Sequence, residues 1–314
     1  MLLVETAVSP DPANLSRPDR VLSPADLRRL SERSDARGLT RIFLHVLLIA
    51  AGAILVALTR GTLWVLPAML LQGWFLVALF APVHESVHYT AFESRRLNIV
   101  VGWLASVPTL INSSFYRLFH YAHHRHTQDP DRDPELAGPL PTTVWEYVLR
   151  ISGWGYYRSR VDFYGRILRD DWRDFPYIPE RERAGVRRSV AAMLAVFFAV
   201  FALWSWFDPA GPWLFWLLPV AMAQPILRVM LLSEHTLCSD DDNGLTNTRS
   251  TLVNPLMHLV HWNMPYHAEH HLYPSIPFHR LPQAHREIGD RFAHVAPSYF
   301  ETQKQILRRI TGRP

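Results

Sequence analysis

The sequence predicts an all-α integral membrane protein, with four transmembrane helices in two hairpins and a cytoplasmic helical cap. Long apolar stretches, the placement of basic residues around them and the lack of a β-strand pattern of consequence carry this prediction. A helix needs about 20 apolar residues to cross the hydrocarbon core of a bilayer. The 314-residue chain offers four stretches close to that length, at 42–59, 63–83, 190–207 and 213–232.

Basic residues set the expected orientation of these spans. Seven Arg or Lys residues precede residue 42, fifteen lie between 84 and 189, and eight follow 232, whereas the two short connections carry only Arg60. Cytoplasmic loops are enriched in Lys and Arg, so both termini and the long middle segment are expected in the cytoplasm. Arg outnumbers Lys 31 to 1, which is typical of GC-rich bacterial genomes and indicates a bacterial inner membrane.

The rest of the chain divides simply. Residues 1 to about 40 are polar and predict an N-terminal arm with one short helix, which Ser23 would cap ahead of Pro24. Residues 41–314 are expected to form a single membrane domain. The apolar stretch 97–111 is short and contains a proline, which favours a re-entrant or interfacial segment over a fifth span.

Two residue types exclude other classes of protein. Cys238 is the only cysteine, so intrachain disulfides and cysteine-ligated iron–sulfur or zinc sites are excluded. The basic residues flank membrane spans and form no stripe interleaved with aromatics, so no nucleic-acid partner is expected. Arg228 is the single charged residue inside the four apolar stretches.

Eight histidines form three tight clusters, each placed after an apolar run. They are His84-x-x-x-His88, His120-x-x-His123-His124 and His267-x-x-His270-His271. Histidine is the commonest metal-ligating side chain, and one ion needs only three or four protein ligands, so eight predict two ions. The expected topology brings the clusters to one leaflet, where the fourth span also delivers His235.

The other histidines and the acidic residues near the clusters also have ordinary structural interpretations. Seven other histidines are expected to be ordinary hydrogen-bonded residues: His45, His126, His258, His261, His279, His285 and His294. Four acidic residues follow the second cluster: Asp129, Asp131, Asp133 and Glu135. They either orient ligand histidines or pair with Arg, or they form a solvated acidic turn.

The three-cluster pattern resembles the integral-membrane fatty acid desaturase and hydroxylase superfamily from about residue 82 to residue 282. The most specific segments are His-Tyr-Ala-His-His-Arg-His-Thr-Gln-Asp-Pro at 120–130 and Asn-Met-Pro-Tyr-His-Ala-Glu-His-His-Leu-Tyr-Pro at 263–274. The resemblance implies two irons held by about nine histidines, the ninth from the last membrane helix. Carried over, the ligands are His84, His88, His120, His123, His124, His235, His267, His270 and His271.

The resemblance also implies an O₂-dependent oxidoreductase acting on a lipid or other aliphatic substrate. Desaturation is the first expectation, and hydroxylation of an aliphatic or small substrate is the alternative. Electrons would come from an external donor, such as a ferredoxin or a cytochrome-type reductase system, because the chain has no cysteine cluster, Gly-x-Gly-x-x-Gly or cytochrome b5-like His-Pro-Gly-Gly.

Two further classes stay open at this point. His84-Glu85-x-x-His88 is also the His-Glu-x-x-His pattern of zinc proteases, in which glutamate is the general base. An intramembrane protease of this kind leaves the two His-x-x-His-His clusters unexplained. A non-catalytic heme protein or ion carrier is the other alternative, although carrier histidines would lie in the middle of a span.

Overall fold

Helices make up most of the part of the chain that the computed structural model describes, residues 21–138 and 140–312. In chain order the α-helices are α1 Pro24–Leu30, α2 Asp35–Thr59, α3 Val65–Val77, α4 Phe80–Val87, α5 Arg95–Thr109, α6 Ser113–His126, α7 Val144–Ser152, α8 Trp154–Leu168, α9 Glu180–Phe207, α10 Leu218–His235, α11 Pro255–Val260, α12 His267–Leu272, α13 Leu281–Ile288 and α14 Tyr299–Thr311. Strands β1 Ser250–Thr251 and β2 Val295–Ala296 pair in parallel, with Ser250 opposite Val295. Pro134–Ala137 and Gly289–Arg291 form 3₁₀ turns, and Trp213–Leu217 is a wider π-helical turn leading into α10.

Among the residues that the structure describes, four helical segments are long and apolar enough to span a membrane, which agrees with the predicted number. They run over Asp35–Thr59, Val65–Val87, Glu180–Phe207 and Trp213–His235. Each extends beyond its apolar stretch, because a helix continues into polar sequence until a capping residue or a break ends it. The first begins at Asp35, capped by the Ser34 side chain, so the last residues assigned to the N-terminal arm are helical. Ser23 caps α1 as predicted, with its side chain accepting from the Asp26 N–H.

The second spanning segment is interrupted and carries the first histidine cluster at its end. Helix α3 ends at Val77 and α4 begins at Phe80. Pro82 lies in the first turn of α4, where its missing N–H is not needed. The helical path therefore runs past Val83, where the sequence predicted its end. It places His84 inside α4 and His88 at its C-cap.

Helices α5 and α6 form a pair bent by 97°. Leu110 stands between them in the left-handed conformation at φ 52°, and Asn112 caps α6 by accepting from the Phe115 N–H. A pair bent this sharply is a re-entrant loop or a broken span, which agrees with the expectation for 97–111. The bend directs α6 against α4, so that the second histidine cluster faces the first.

Helix α3 packs against both α2 and α10. The approach to α10 is very close at Gly73, where a β-carbon would lie 1.9 Å from the Pro219 carbonyl oxygen. Small residues allow membrane helices to approach in this way. Since α4 continues α3, this packing places His84 and His88 near the end of α10, where His235 is the last residue.

Candidate metal centre

Helices α4, α6, α10 and α12 bring histidines together in two adjacent groups. The first group holds five histidines, whose ligand atoms all lie within 4.8 Å of one another: His84, His88, His120, His124 and His270. The second holds three at the same mutual limit: His123, His235 and His271. The His124 and His271 rings stack at 4.0 Å across the boundary, so the two groups form one cluster.

The ring nitrogens of the first group stand at the separation of ligands around one ion. His120 Nε2 and His124 Nε2 are 3.0 Å apart, and His124 Nε2 and His270 Nε2 are 3.2 Å apart. Imidazole–metal bonds of about 2.1 Å at right angles would place two nitrogens about 3.0 Å apart. His124 Nε2 takes part in both contacts. In a neutral imidazole this atom carries either one hydrogen or one lone pair, so it cannot form a full hydrogen bond to both neighbours.

Hydrogen bonds to Nδ1 orient two rings of the second group. His123 Nδ1 donates to the Asp133 carboxylate at 2.9 and 3.0 Å, and His235 Nδ1 donates to the Asn247 carbonyl at 3.2 Å. Each ring therefore presents an unprotonated Nε2, and these two atoms are 3.2 Å apart. If both rings are neutral, two lone pairs face each other and repel. A metal ion would remove this repulsion, and so would a proton on His123: burial opposes that proton, but the Glu135 and Asp133 carboxylates outweigh burial and raise the pKa of His123. Ligating histidines in metalloproteins are oriented through the other ring nitrogen in the same way.

His271 and His267 complete this side of the cluster. Thr127 Oγ1 donates to the His123 carbonyl and lies 3.4 Å from His271 Nδ1, which leaves His271 Nε2 free to face the second group. His267 belongs to neither group, but its ring centroid is 4.5 Å from that of His271 and 5.3 Å from that of His235. Of the nine predicted ligands, eight thus meet in the two groups and the ninth borders the second.

Many ring nitrogens of the cluster are buried without a hydrogen-bond partner. They are Nδ1 and Nε2 of His84, Nε2 of His88 and His271, and Nδ1 of His124, His267 and His270. A buried polar atom without a partner costs about 1–3 kcal/mol, and native proteins contain few of them. Their concentration in one place fits metal ions as the missing partners.

Burial keeps these imidazoles in the form that binds metal. Burial, and then neighbouring imidazoles, lower the pKa of His270 to about 3 and lower the pKa of His267 and His271 well below the usual value. These rings are therefore neutral at pH 7. Neutral imidazole is the ligating form of histidine.

The acidic residues after the second cluster have different roles. Asp133 is buried and orients His123, as described above, and its carboxylate also accepts the Gln128 and Glu135 N–H groups. Asp129 pairs with Arg132, and Asp131 is exposed. Glu135 Oε2 lies 3.8 Å from His123 Nε2, the nitrogen that faces His235.

Replacing Asp133 with alanine is expected to lower metal content and activity by about 10- to 100-fold, because His123 would lose the acceptor that fixes its ring. Metal analysis of purified protein and turnover measurements check this. Asp131→Ala removes an exposed carboxylate from the same turn and is the matched control. Wild-type metal content and activity in Asp133→Ala would contradict the orienting role.

Two buried glutamates beside the clusters, Glu234 and Glu269, were not identified from the sequence. Glu234 Oε2 lies 3.5 Å from His267 Nε2. Glu269 accepts from the Ser250 hydroxyl and contacts His285 Nδ1 at 2.5 Å. Each is next to a clustered histidine in the sequence, and this position was the only sequence feature that could have identified it. Adjacent helical residues point to different faces, however, so the contacts depend on what packs there.

Glu85, which the sequence offered as the general base of a zinc protease, is a third buried glutamate, and its carboxylate has structural partners. Glu85 Oε2 accepts from the Thr90 hydroxyl at 2.8 Å and from the Phe278 N–H at 3.1 Å. Its other oxygen is 3.7 Å from His84 Nδ1. A carboxylate used in this way ties α4 to the segment after α12 and supports a ligand ring, whereas a zincin glutamate must face a metal-bound water.

The histidines expected to be structural include several with partners outside the cluster. His45 Nε2 donates to the Phe75 carbonyl at 2.8 Å, and His45 Nδ1 accepts from the Trp262 indole at 3.2 Å. His261 Nε2 accepts from the Trp74 indole at 2.8 Å. These contacts confirm the structural expectation for both residues.

A helical membrane protein that gathers buried, unpartnered histidines at the ends of its spans has the features of a membrane metalloenzyme. The chain belongs to the fatty acid desaturase family, whose match covers residues 61–303. The resemblance found in the sequence is thereby confirmed, and the protein is an integral-membrane oxidoreductase.

Several characterised proteins are similar to the chain. Dihydrorhizobitoxine desaturase of Bradyrhizobium elkanii is 28% identical over 79% of this chain and 76% of that protein. A beta-carotene ketolase of Paracoccus sp. is 29% identical over 73% of this chain and 86% of its own length. The sn-1 acyl-lipid omega-3 desaturase (ferredoxin) of Synechocystis sp. is 26% identical over 82% and 76%, respectively. Their names cover more than one outcome of oxidation, so the reaction of this chain is a separate question.

Proposed function

We propose that the protein is an O₂-dependent di-iron desaturase that introduces a double bond into a lipid-linked or other aliphatic chain. The observation that carries the proposal is the pair of histidine groups, with ring nitrogens 3.0–3.2 Å apart and no hydrogen-bond partners for most of the remaining ones. Two bound irons would supply, with O₂, the oxidising power needed to remove hydrogen from an unactivated C–H bond.

The proposed ligand set follows the two groups. One iron would be held by ligands drawn from His84, His88, His120, His124 and His270. The other would be held by His123, His235, His271 and the adjacent His267. The protein's own contributions are to fix these rings through Nδ1 acceptors, as Asp133 does for His123, and to bury the cluster away from bulk water.

Desaturation is preferred to hydroxylation because two of the similar proteins named above are desaturases, whereas the ketolase keeps hydroxylation as the second candidate. Expression in a host of defined lipid composition, followed by mass spectrometry, tests the choice. The expected product has lost two hydrogens. A product that has instead gained one oxygen atom, labelled when the cells are grown under ¹⁸O₂, would reject desaturation in favour of hydroxylation.

Electrons are proposed to come from a separate protein, a ferredoxin or a cytochrome-type reductase system. The sequence supplies no redox-cofactor motif of its own, and one similar desaturase carries ferredoxin in its name. Reconstitution of the purified enzyme with a reduced ferredoxin is expected to support turnover.

We further propose that residues 41–314 form one membrane domain with two helical hairpins and a cytoplasmic cap, in a bacterial inner membrane. An ion pair supports the hairpins: Arg60, after the first span, contacts Asp208, after the third, at 2.8 Å. The two short connections therefore meet at one end of the bundle. The histidine cluster forms among the helix ends that they do not join.

Reporter fusions are expected to place positions near 140 and 300 in the cytoplasm and positions near 61 and 210 outside. The reason is the concentration of Arg in the long segments. Alkaline phosphatase and green fluorescent protein fusions at these four positions measure it. A periplasmic signal at 140 would invert the proposed orientation and move the metal centre to the other side of the membrane.

A further inference from the structure

Arg228, the single charge within the apolar stretches, is half-buried on α10 and has unusual partners. Its guanidinium carbon lies 4.1 Å from the centroid of the Tyr156 ring on α8, and its Nε donates to Gln224 Oε1 at 3.1 Å. An ionisable residue within a membrane span is costly and most often serves a function. The metal centre does not use it.

A second arginine approaches the same tyrosine. The Arg160 guanidinium carbon lies 4.4 Å from the Tyr156 ring centroid, and Arg160 Nε is buried without a hydrogen-bond partner. Two guanidiniums thus share one aromatic ring. An aromatic face attracts a cation but does not neutralise it.

No carboxylate in the described residues forms an ion pair with either guanidinium. The ring of Tyr156 is shared by the Arg228 and Arg160 guanidiniums, and it is neutral. Buried charges in proteins are normally paired, because removing a charge from water is otherwise very costly. The unpaired Arg160 Nε and this excess of positive charge call for an anion from outside the chain.

The position of the site along α10 relates it to the metal centre. Gln224, Arg228 and His235 follow one another at helical spacing on the same side of α10. Arg228 and His235 are seven positions apart, which is two turns or about 10 Å along the axis. An aliphatic chain anchored at Arg228 could therefore extend along the helix toward the histidines.

The local backbone is built to hold this arrangement. The turn between α7 and α8 approaches α10 at Gly153, whose φ is +74° and whose β-carbon, if present, would lie 2.9 Å from Gln224 Cβ. Tyr156 follows one turn later. Beside Arg228, a cavity of about 10 Å³ has room for about one oxygen atom; Thr109, Tyr156, Gln224 and Arg228 line its polar side, and Val77, Ile111, Val220 and Leu227 line the rest.

We propose that Arg228 and Arg160, together with the Tyr156 ring and Gln224, bind the anionic head group, a carboxylate or a phosphate, of an aliphatic amphiphile. Arginine presents several N–H donors in a planar fork that matches both kinds of anion. That the amphiphile is the substrate rests on the proposed function, but its binding does not, so binding and turnover are measured separately.

The test uses the full chain in dodecyl maltoside and measures binding by equilibrium dialysis. The probes share one chain and differ in the head group: oleate, oleyl phosphate and neutral oleyl alcohol, with inorganic phosphate as an anion without a chain. Wild-type protein is expected to bind at least one oleyl anion more tightly than the alcohol. Arg228→Gln and Arg160→Gln are each expected to weaken anion binding by about tenfold or more and to leave alcohol binding unchanged.

Arg158→Gln, which removes an exposed charge from α8, is the matched control and is expected to bind all probes as wild type does. Metal content and thermal melting verify folding, and Arg160→Gln alone tests the site if Arg228→Gln fails to fold.

Equal anion affinity in wild type and both test variants would overturn the site. If inorganic phosphate bound as tightly as oleyl phosphate, the aliphatic chain would contribute nothing, and the proposal that the ligand is an amphiphile would be wrong. Intact, arginine-dependent oleyl-anion binding by an iron-loaded protein that oxidises no chain would reject the proposed function and leave the site standing.

Discussion

Replacing His235 with alanine is expected to abolish turnover and to lower iron from about two to about one per chain. His235 Nε2 faces His123 Nε2 at 3.2 Å, and its Nδ1 is held by the Asn247 carbonyl, so the ring is oriented as a ligand of the second group. That group has only three histidines within ligand distance of one another, and losing one leaves two and the bordering His267. Iron analysis and turnover of the purified protein measure the effect.

His126→Ala is the matched control for this experiment. His126 is the last residue of α6, close in sequence to the second cluster, but it is in neither histidine group. Its removal is expected to leave iron content and activity unchanged. Full activity and two irons in His235→Ala would remove His235 from the ligand set.

The second large effect separates the di-iron reading from a zinc protease. His120→Ala and His267→Ala are each expected to reduce activity by more than about 100-fold, a greater loss than removing an orienting partner causes. Neither residue belongs to the His84-Glu85-x-x-His88 motif, and His267 also lies outside the histidine group that contains it. Product formation and metal content measure both variants.

Glu85→Gln is the counterpart of those two variants. Glutamine keeps an oxygen that can accept from the Thr90 hydroxyl and the Phe278 N–H, so the fold and substantial activity are expected to survive. A zincin would lose its general base in this variant and with it nearly all activity. One zinc per chain, with catalysis abolished by Glu85→Gln and retained without His120 or His267, would overturn the oxygenase reading.

Much of the fold could be predicted because membrane spans are specified locally. A bilayer demands about 20 apolar residues in a row, and the sequence shows four such runs directly. The ends of the helices were less predictable, since α2 and α9 extend well into polar sequence: α2 begins where Ser34 caps it, and α9 begins after Pro179 without a side-chain cap. The 97° turn between α5 and α6 depends on how Leu110 and Asn112 are packed, and composition indicated only that 97–111 is not an ordinary span.

The candidate site divides in the same way. Cluster spacing and topology identified the histidines, because ligands on one helical face lie one turn apart. Their supporting acids could not be assigned, since the contact from Glu234 to His267 and the contact from Glu269 to His285 join residues that are distant in sequence. Asp133 was one of four acidic candidates, and only packing distinguishes it from exposed Asp131.

The buried carboxylates around the histidines have a consequence for the redox behaviour of the centre. Neutral imidazoles would bring no negative charge to bound cations, and the carboxylates nearest the cluster are the buried ones of Glu85, Asp133, Glu234 and Glu269 and that of Glu135. Negative charge near a metal stabilises its more oxidised state and lowers the reduction potential. If the two histidine groups bind iron as proposed, these carboxylates would lower its reduction potential, and the external electron donor would have to be a correspondingly strong reductant.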